Sequence, residues 1–344
     1  MNISRLKGGC TRQQIFLLLL TSLVILSVTA AFASQAVSAI EIPQRETGGD
    51  NIILTNNVSS SSENNLNSSS LPIIHIHMSG EKGIFANAYL IETAHGVVAI
   101  DSTLTVSESK ALRSELNSIN KPLLAIILTH PHPDHVAGIT NLVTGPNIPI
   151  ISLESVARIM HATEEAKRIQ WTPVYGKEWI TKWTYPNQYV KDLELVTIDG
   201  LSFKVFDFGP GGDSNATSIW VLQEPKIAFV GDLVFNGMHP YIADDHISDW
   251  LKNLEKAQHL LANTSIIYPG HGKPGSLDLL ESQKKYLLAY SDAVRELSGG
   301  NSTLTEGAKK ELTQRMESFL PGAGLSFLIA LSADHVATEL SIHK

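Results

Sequence analysis

Three imidazoles and one carboxylate fall within six residues at His130-Pro131-His132-Pro133-Asp134-His135. Neutral imidazole and carboxylate are the donors that Zn²⁺ and the harder first-row cations accept. A histidine-rich loop can simply be solvated, but four donors in six residues favour a metal. Pro131 and Pro133 remove backbone donors and disfavour helix, so His130 to Pro133 is expected as an extended loop. In that form His130 and His132 share one side and could hold one ion. Asp134 and His135 follow the bend and could hold a second. Such an ion is a Lewis acid able to activate water near neutral pH.

Two further donors leave strand ends in the same manner. Gly231-Asp232 follows Ile227–Val230, and Tyr268-Pro269-Gly270-His271-Gly272 follows Ser265–Tyr268. A lone Asp after a strand is usually a turn former, and a lone His is usually just a His. Their shared placement at strand exits is what makes them candidates. Asp232 is the best carboxylate to bridge two cations. His239 and His246 are further candidates, with His239-Pro240-Tyr241 read as pocket lining. The single cysteine, Cys10, lies before an N-terminal apolar run, and no G-x-S-x-G elbow is present, so water is the natural attacker.

The elements that must position these residues read as α/β layers. The motif leaves the apolar run Leu123–Leu128, expected as a buried strand. Ile74 to Met78 alternates apolar residues with His75 and His77, which are expected on a solvent-facing polar side. Ala86–Glu92 and Val97–Asp101 form a hairpin, and Ser107 to Ile119 has helical spacing. Val136–Val143 is a short helix, Ile148–Ile151 a strand, and Leu153–Gln170 a helix with Ser152 as N-cap. Trp171 to Val190 is a loop carrying Trp171, Tyr175, Trp179, Trp183, Tyr185 and Tyr189. It is either a substrate wall or lid, or an insertion stapled to the body by its aromatics.

Strands Leu193–Ile198, Leu201–Asp207, Thr217–Gln223 and Ile227–Val230 follow, with helices His246–Leu261 and Leu277–Leu297 around strand Ser265–Tyr268. Two halves, each strands then helices, suggest a sheet-on-sheet core with helices outside. Thr305–Phe319 is one more helix, and the last twenty or so residues show no assignable pattern.

The chain has 344 residues and is 43% apolar, enough for a full core. Arg5, Lys7 and Arg12 precede an apolar run from Ile15 to about Ala33, and Ala31-Phe32-Ala33 fits a small-x-small cleavage site. Residues 1–33 are therefore expected to be a signal peptide, or an uncleaved N-terminal anchor, and the chain to be exported. Residues 34–70 are Ser/Asn-rich and expected to form a flexible linker; the acceptor patterns at Asn57 and Asn67 carry little weight in such composition. Without residues 1–33 the balance is 23 basic against 34 acidic, which argues against a nucleic-acid partner. Any membrane contact is expected only through the N-terminal segment, and the oligomeric state is not legible.

The motifs His130-x-His132-x-Asp134-His135, Gly231-Asp232 and Pro269-Gly270-His271-Gly272, in this strand order, resemble the metallo-β-lactamase-fold hydrolases. The resemblance covers about residues 71–297, leaving 298–344 as a C-terminal helical extension. It implies an αββα four-layer sandwich with the metal site at one edge between the sheets. It implies His130 and His132 at a first site, Asp134, His135 and His271 at a second, and Asp232 between them. One position departs: the family's third first-site histidine would fall in the turn Phe208–Asn215, where Gly212 stands. Asp213, one residue further, could supply an oxygen instead.

The implied activity is a metal-dependent hydrolase acting on a small ester, thioester, lactone or β-lactam, with Asp134 holding the attacking water. The implied cofactor is one or two Zn²⁺ ions, with iron or manganese also compatible with the donors. An iron-dependent oxidoreductase on the same fold and a non-catalytic metal-binding module are the competing classes. The substrate is a small molecule whose identity the fold does not select.

Overall fold

The computed structural model describes residues 72–143 and 145–342. The expected signal peptide, linker, Cys10 and the acceptor patterns at Asn57 and Asn67 lie outside the described residues. Among the described residues, no helix is long and apolar enough to cross a membrane.

Six strands build the first sheet in chain order: β1 (Ile74–Met78), β2 (Asn87–Glu92), β3 (Val97–Ile100), β4 (Leu123–Ile127), β5 (Ile150–Leu153) and β6 (Gln188–Val190). β1 to β3 pair antiparallel, and β3 to β6 pair parallel. Parallel neighbours need crossovers. These are helix α1 (Val106–Ser118), the short helices α2 (Pro133–Val136) and α3 (Ile139–Leu142), and the long α4 (Glu154–Tyr175). The second sheet runs β11-β10-β9-β8-β7, with β7 (Leu195–Ile198), β8 (Leu201–Gly209), β9 (Thr217–Leu222), β10 (Ile227–Phe235) and β11 (Ile266–His271). Only β10 and β11 pair parallel, and helix α5 (Ile247–Leu260) makes that crossover. Helices α6 (Asp278–Ser298), α7 (Glu306–Phe319) and α8 (Phe327–Ile342) complete the chain.

The layers follow from strand periodicity. Successive side chains of β9 point to opposite faces, so Trp220 and Leu222 join the core between the sheets while Ile219 and Val221 join the core under α5 to α8. β10 divides likewise, with Ile227 and Phe229 inward and Ala228 and Val230 outward. Both strands are covered on two faces, which is why they read as continuous apolar runs rather than alternations. Leu112 and Leu116 of α1 cover the other face of the first sheet. The result is the expected αββα sandwich.

Several expectations are corrected in detail. β1 is inverted: Ile76 and Met78 are exposed, while His77 is buried between the Glu108 and Glu115 carboxylates of α1, at 3.4 and 2.9 Å. The two α1 carboxylates, both within reach of the His77 ring, reverse the facing that hydropathy alone predicts. α4 runs five residues past Gln170, through Pro173, and stops at Gly176, which adopts a φ of 54°. Its N-cap is Leu153 rather than Ser152, which lies in β5. Val136–Val143 is split into two short turns instead of one helix.

α8, unassigned from sequence, is a full helix whose apolar stripe is blurred, because polar Ser332 and Glu339 lie on its buried side and Ile342 on its exposed one. Ile329, Ala333, Val336 and Ala337 pack in the same core as Trp250, Tyr286 and Tyr290. Its polar residues reach further. Ser332 Oγ accepts the Ile242 N–H, and Glu339 accepts the N–H groups of Ile247 and Ser248 at the start of α5. The segment between β10 and α5 is thereby strapped down along its length, with His239 N–H also donating to the Gly324 carbonyl.

Candidate metal centre

The motif loop is fixed from both sheets. Just past β4, the Leu128 carbonyl accepts the Trp220 indole N–H at 3.2 Å. The next carbonyl, of Thr129, accepts both the Ser218 N–H and the Ser218 hydroxyl. From the first sheet Asp101 accepts the Thr129 N–H and hydroxyl at 2.8 and 2.7 Å. The chain then runs extended through His132, and Pro133 opens α2 at the position where its missing N–H costs nothing. His130 and His132 leave the extended part, while Asp134 and His135 lie in the first turn. The six-residue motif therefore delivers two pairs of donors in two directions.

The glycine-rich turn explains the departure at Gly212. Its φ of +120° is closed to other residues, and a Cβ there would lie 2.8 Å from Thr217 Oγ1. A histidine does not fit. Asp213 fits instead, 3% exposed, with Oδ2 2.7 Å from His132 Nδ1 and Oδ1 3.7 Å from His130 Nε2. Asn253 of α5 holds the turn by donating to the carbonyls of Phe208, Pro210 and Gly211. His246 Nε2 meets Asn215 Oδ1 at 2.7 Å and so steadies this turn from outside the donor cluster.

Asp232 and His271 stand on adjacent parallel strands. Asp232 Oδ2 is 3.1 Å from His271 Nε2 and 3.8 Å from His130 Nε2, and its Oδ1 is 3.2 Å from His135 Nε2. Asp134 Oδ2 is 3.3 Å from both His135 Nε2 and His271 Nε2. Gly270 leaves room for this, since a Cβ there would fall 1.6 Å from Asp232 Oδ1. Two groups of donor atoms result, His130, His132, Asp213 and Asp232, and Asp134, His135, Asp232 and His271. Within each group the atoms lie within 4.8 Å of one another. All seven residues are buried.

The donors fit a cation better than they fit each other. His130 Nε2, His135 Nε2, Asp213 Oδ1 and Asp232 Oδ1 are buried without a hydrogen-bond partner, although buried polar atoms are nearly always satisfied. Burial, reinforced by Asp232, pushes the Asp213 carboxyl well above the usual range despite His132. Burial opposes charge on His132, but Asp213 and Asp244 outweigh it and raise its pKa to about 10. His271 rises to about 9 against burial, through Asp232 and Asp134. Asp134 is held well below the carboxylate range, against burial, by His135 and His271. His132, His135 and His271 thus hold positive charge beside ionised Asp134 and Asp232, where a divalent cation would serve.

Four supporting groups escape sequence reasoning. Asp101 meets His135 Nδ1 at 3.1 Å, Asp244 meets His132 Nε2 at 3.3 Å, Thr129 Oγ1 meets His130 Nδ1 at 2.9 Å, and the Ile84 carbonyl meets His271 Nδ1 at 2.9 Å. Asp101 directly follows β3, so the strand-exit expectation applied to Asp232 and His271 would have found it. Ile84 offers only a backbone oxygen, which no residue type advertises.

Of the expected pocket residues, Tyr241 touches the cluster. Tyr241 sets its ring edge-on to His132, centroids 5.5 Å apart, with Lys167 Nζ 5.7 Å from its centre. Tyr175 ends α4; burial and then the Asp134 carboxylate push its phenol up to about 12. Trp179 and Trp183 are 3% and 4% exposed in the main core, with Trp171 partly buried against it. Their placement matches stapling rather than a substrate wall. His239 is buried with Nδ1 on Tyr286 Oη at 2.8 Å and joins neither donor group.

A family model described as the metallo-beta-lactamase superfamily matches residues 82–271. The beta-lactamase-like protein 2 homolog of Caenorhabditis elegans is 31% identical over 189 residues, 54% of this chain and 55% of that protein. The chain thus spans about half the length of that relative. The metallo-beta-lactamase type 2 of Bacillus sp. (strain 170) is 25% identical over 263 residues, 74% of this chain and 93% of the relative. A solved structure of the DIM-1 metallo-beta-lactamase exposed to ceftazidime aligns with a TM-score of 0.51 at 23% identity, covering 64% of this chain and 94% of that one, and shares the fold.

Proposed function

This chain belongs to the metallo-β-lactamase superfamily, and we propose on that basis that it is a metal-dependent hydrolase of a small ester-, thioester-, lactone- or β-lactam-like substrate. The observation that carries the reading is the set of four unpartnered, buried donor atoms, on His130, His135, Asp213 and Asp232, converging on one cluster. The names metallo-beta-lactamase and hydroxyacylglutathione hydrolase among its relatives support the reaction class. Zn²⁺ is the expected ion, with iron and manganese to be distinguished by measurement. The basic and then apolar start of the sequence supports export.

His130, His132, Asp213 and Asp232 would hold one ion, and Asp134, His135, His271 and Asp232 another. Bound there, divalent cations would supply Lewis acidity and lower the pKa of water from about 16 towards about 7. The chain's own groups do the rest. Asp134, kept ionised by His135 and His271, accepts a hydrogen bond from the attacking water at its carboxylate and orients it. Tyr241, whose phenol is raised by burial and Asp244, packs its ring along His132 and limits water access there.

The test is metal content of the purified full chain, followed by an ester, thioester, lactone and β-lactam panel with and without chelator. Chelator-sensitive turnover is expected. Asp134→Ala should lower kcat by about a thousand-fold, within the range for a positioned acid–base group, while leaving the melting temperature nearly unchanged. Undiminished activity in that variant would sink the proposal. Stoichiometric iron with redox turnover would replace it by the oxidoreductase reading. Tight metal binding with no turnover on the whole panel would leave a binding module.

A further inference from the structure

The two halves of the cluster are alike in a way the expected ligand pattern is not. Each half has two imidazoles, one carboxylate of its own and a share of Asp232. The likeness extends behind the ligands. In the first half, His132 is backed at Nε2 by the Asp244 carboxylate, and His130 at Nδ1 by the neutral Thr129 hydroxyl. In the second, His135 is backed at Nδ1 by the Asp101 carboxylate, and His271 at Nδ1 by the neutral Ile84 carbonyl. Each half therefore pairs one imidazole backed by a carboxylate with one backed by a neutral oxygen. The rear partner fixes ring orientation and sets ligand basicity, with effects of about 10–100-fold on metal affinity.

We propose that Asp213 makes this a matched binuclear centre, binding two ions of one element with closely similar affinity. A centre with three imidazoles in one half and two in the other presents unequal donor hardness to its two ions. Here the Gly212 backbone excludes a side chain at the usual third position, and the donor moves one residue to a carboxylate. An oxygen in place of a nitrogen also shifts the first half towards harder cations, Mn²⁺ and Fe²⁺, relative to Zn²⁺. Asp213 is thus the residue that sets metal preference at that half.

The inference rests on the metal-dependent reading above but not on turnover. The metal-free full chain is titrated with Co²⁺ and with Mn²⁺, following heat, Co²⁺ absorption and bound metal per chain. Two equivalents binding in one phase, with affinities within about tenfold, are expected from the like donor sets. Asp213→Asn should retain one tight equivalent and weaken the other by at least the roughly 10–100-fold that loss of a rear partner costs. Asp213→His should restore unequal sites and lower the Mn²⁺ to Zn²⁺ preference of one of them. Two clearly separated phases in the unaltered chain would overturn the matched centre without any variant. Two equally tight equivalents in Asp213→Asn would overturn the role of Asp213. Matched binding without hydrolysis would leave this inference standing while the hydrolase reading fell, and no binding at all would remove both.

Discussion

Glu339 offers the sharpest test of how the C-terminal helices support the site. Its carboxylate, 9% exposed, accepts the backbone N–H groups of Ile247 and Ser248, both at 2.9 Å. These belong to the first turn of α5, whose N-cap residue His246 makes no capping hydrogen bond. Glu339→Ala removes both bonds and leaves two amides without partners. A hydrogen bond to a charged group contributes about 1.5–3 kcal/mol, and the negative end facing a helix N-terminus adds to it. Taking the lower figure twice, the loss is about 3 kcal/mol. For a domain of this size each kcal/mol moves the melting temperature by about 2–4 °C, so a fall of about 6–12 °C is expected by calorimetry. Glu339→Gln keeps one acceptor oxygen and should lose about half as much. Because α5 also carries Asn253, which holds the Asp213 turn, the alanine variant should release bound metal more readily. An unchanged melting temperature in Glu339→Ala would refute the strapping role.

Two further perturbations test other parts of the reasoning. Gly270→Ala would drive a methyl to 1.6 Å from Asp232 Oδ1, so the shared carboxylate must leave its place; metal content per chain should fall by elemental analysis, and full retention of two ions would contradict the assignment of Asp232. At the opposite end of the sandwich, Asp199 accepts from Thr93 Oγ1, the His95 N–H and the His95 ring, which hold its pKa down at about 2. A carboxylate depressed in the folded state stabilises above its unfolded pKa and loses that contribution as pH falls through the folded one. The melting-temperature gap between the unaltered chain and Asp199→Ala should be constant above about pH 5 and narrow between about pH 4 and pH 2; a gap that widens on acidification would reverse the sign.

The site was legible where donors are local in sequence. His130 to His135 announces itself within six residues; Asp232 and His271 were expected just past strand ends, but β10 runs on to Phe235 and β11 to His271, so both stand inside their strands. The substitution at Gly212 was visible as a departure, but only φ and the Thr217 contact explain why the donor moves to Asp213. Asp244 was hidden because it reaches His132 from 112 residues away, through a segment with no periodicity. α8 was hidden because its buried side carries Ser332 and Glu339 and its exposed side Ile342, which blurs the stripe by which helices are recognised. The facing of β1 was misread because Glu108 and Glu115, on another element, make a buried position favourable for His77. In each case the missing information was tertiary: which element lies opposite.

The strap from α8 also orders events in time. Glu339 satisfies an amide 92 residues earlier in the chain. At a synthesis rate of about 5–20 residues per second, those amides wait about 5–20 s for their acceptor during translation. The sheets and the motif loop can assemble in that interval, but the segment bearing Tyr241 and Asp244 has no complete set of backbone partners until α8 emerges. The segment that carries Asp244 to His132 is therefore expected to settle only once α8 has been made.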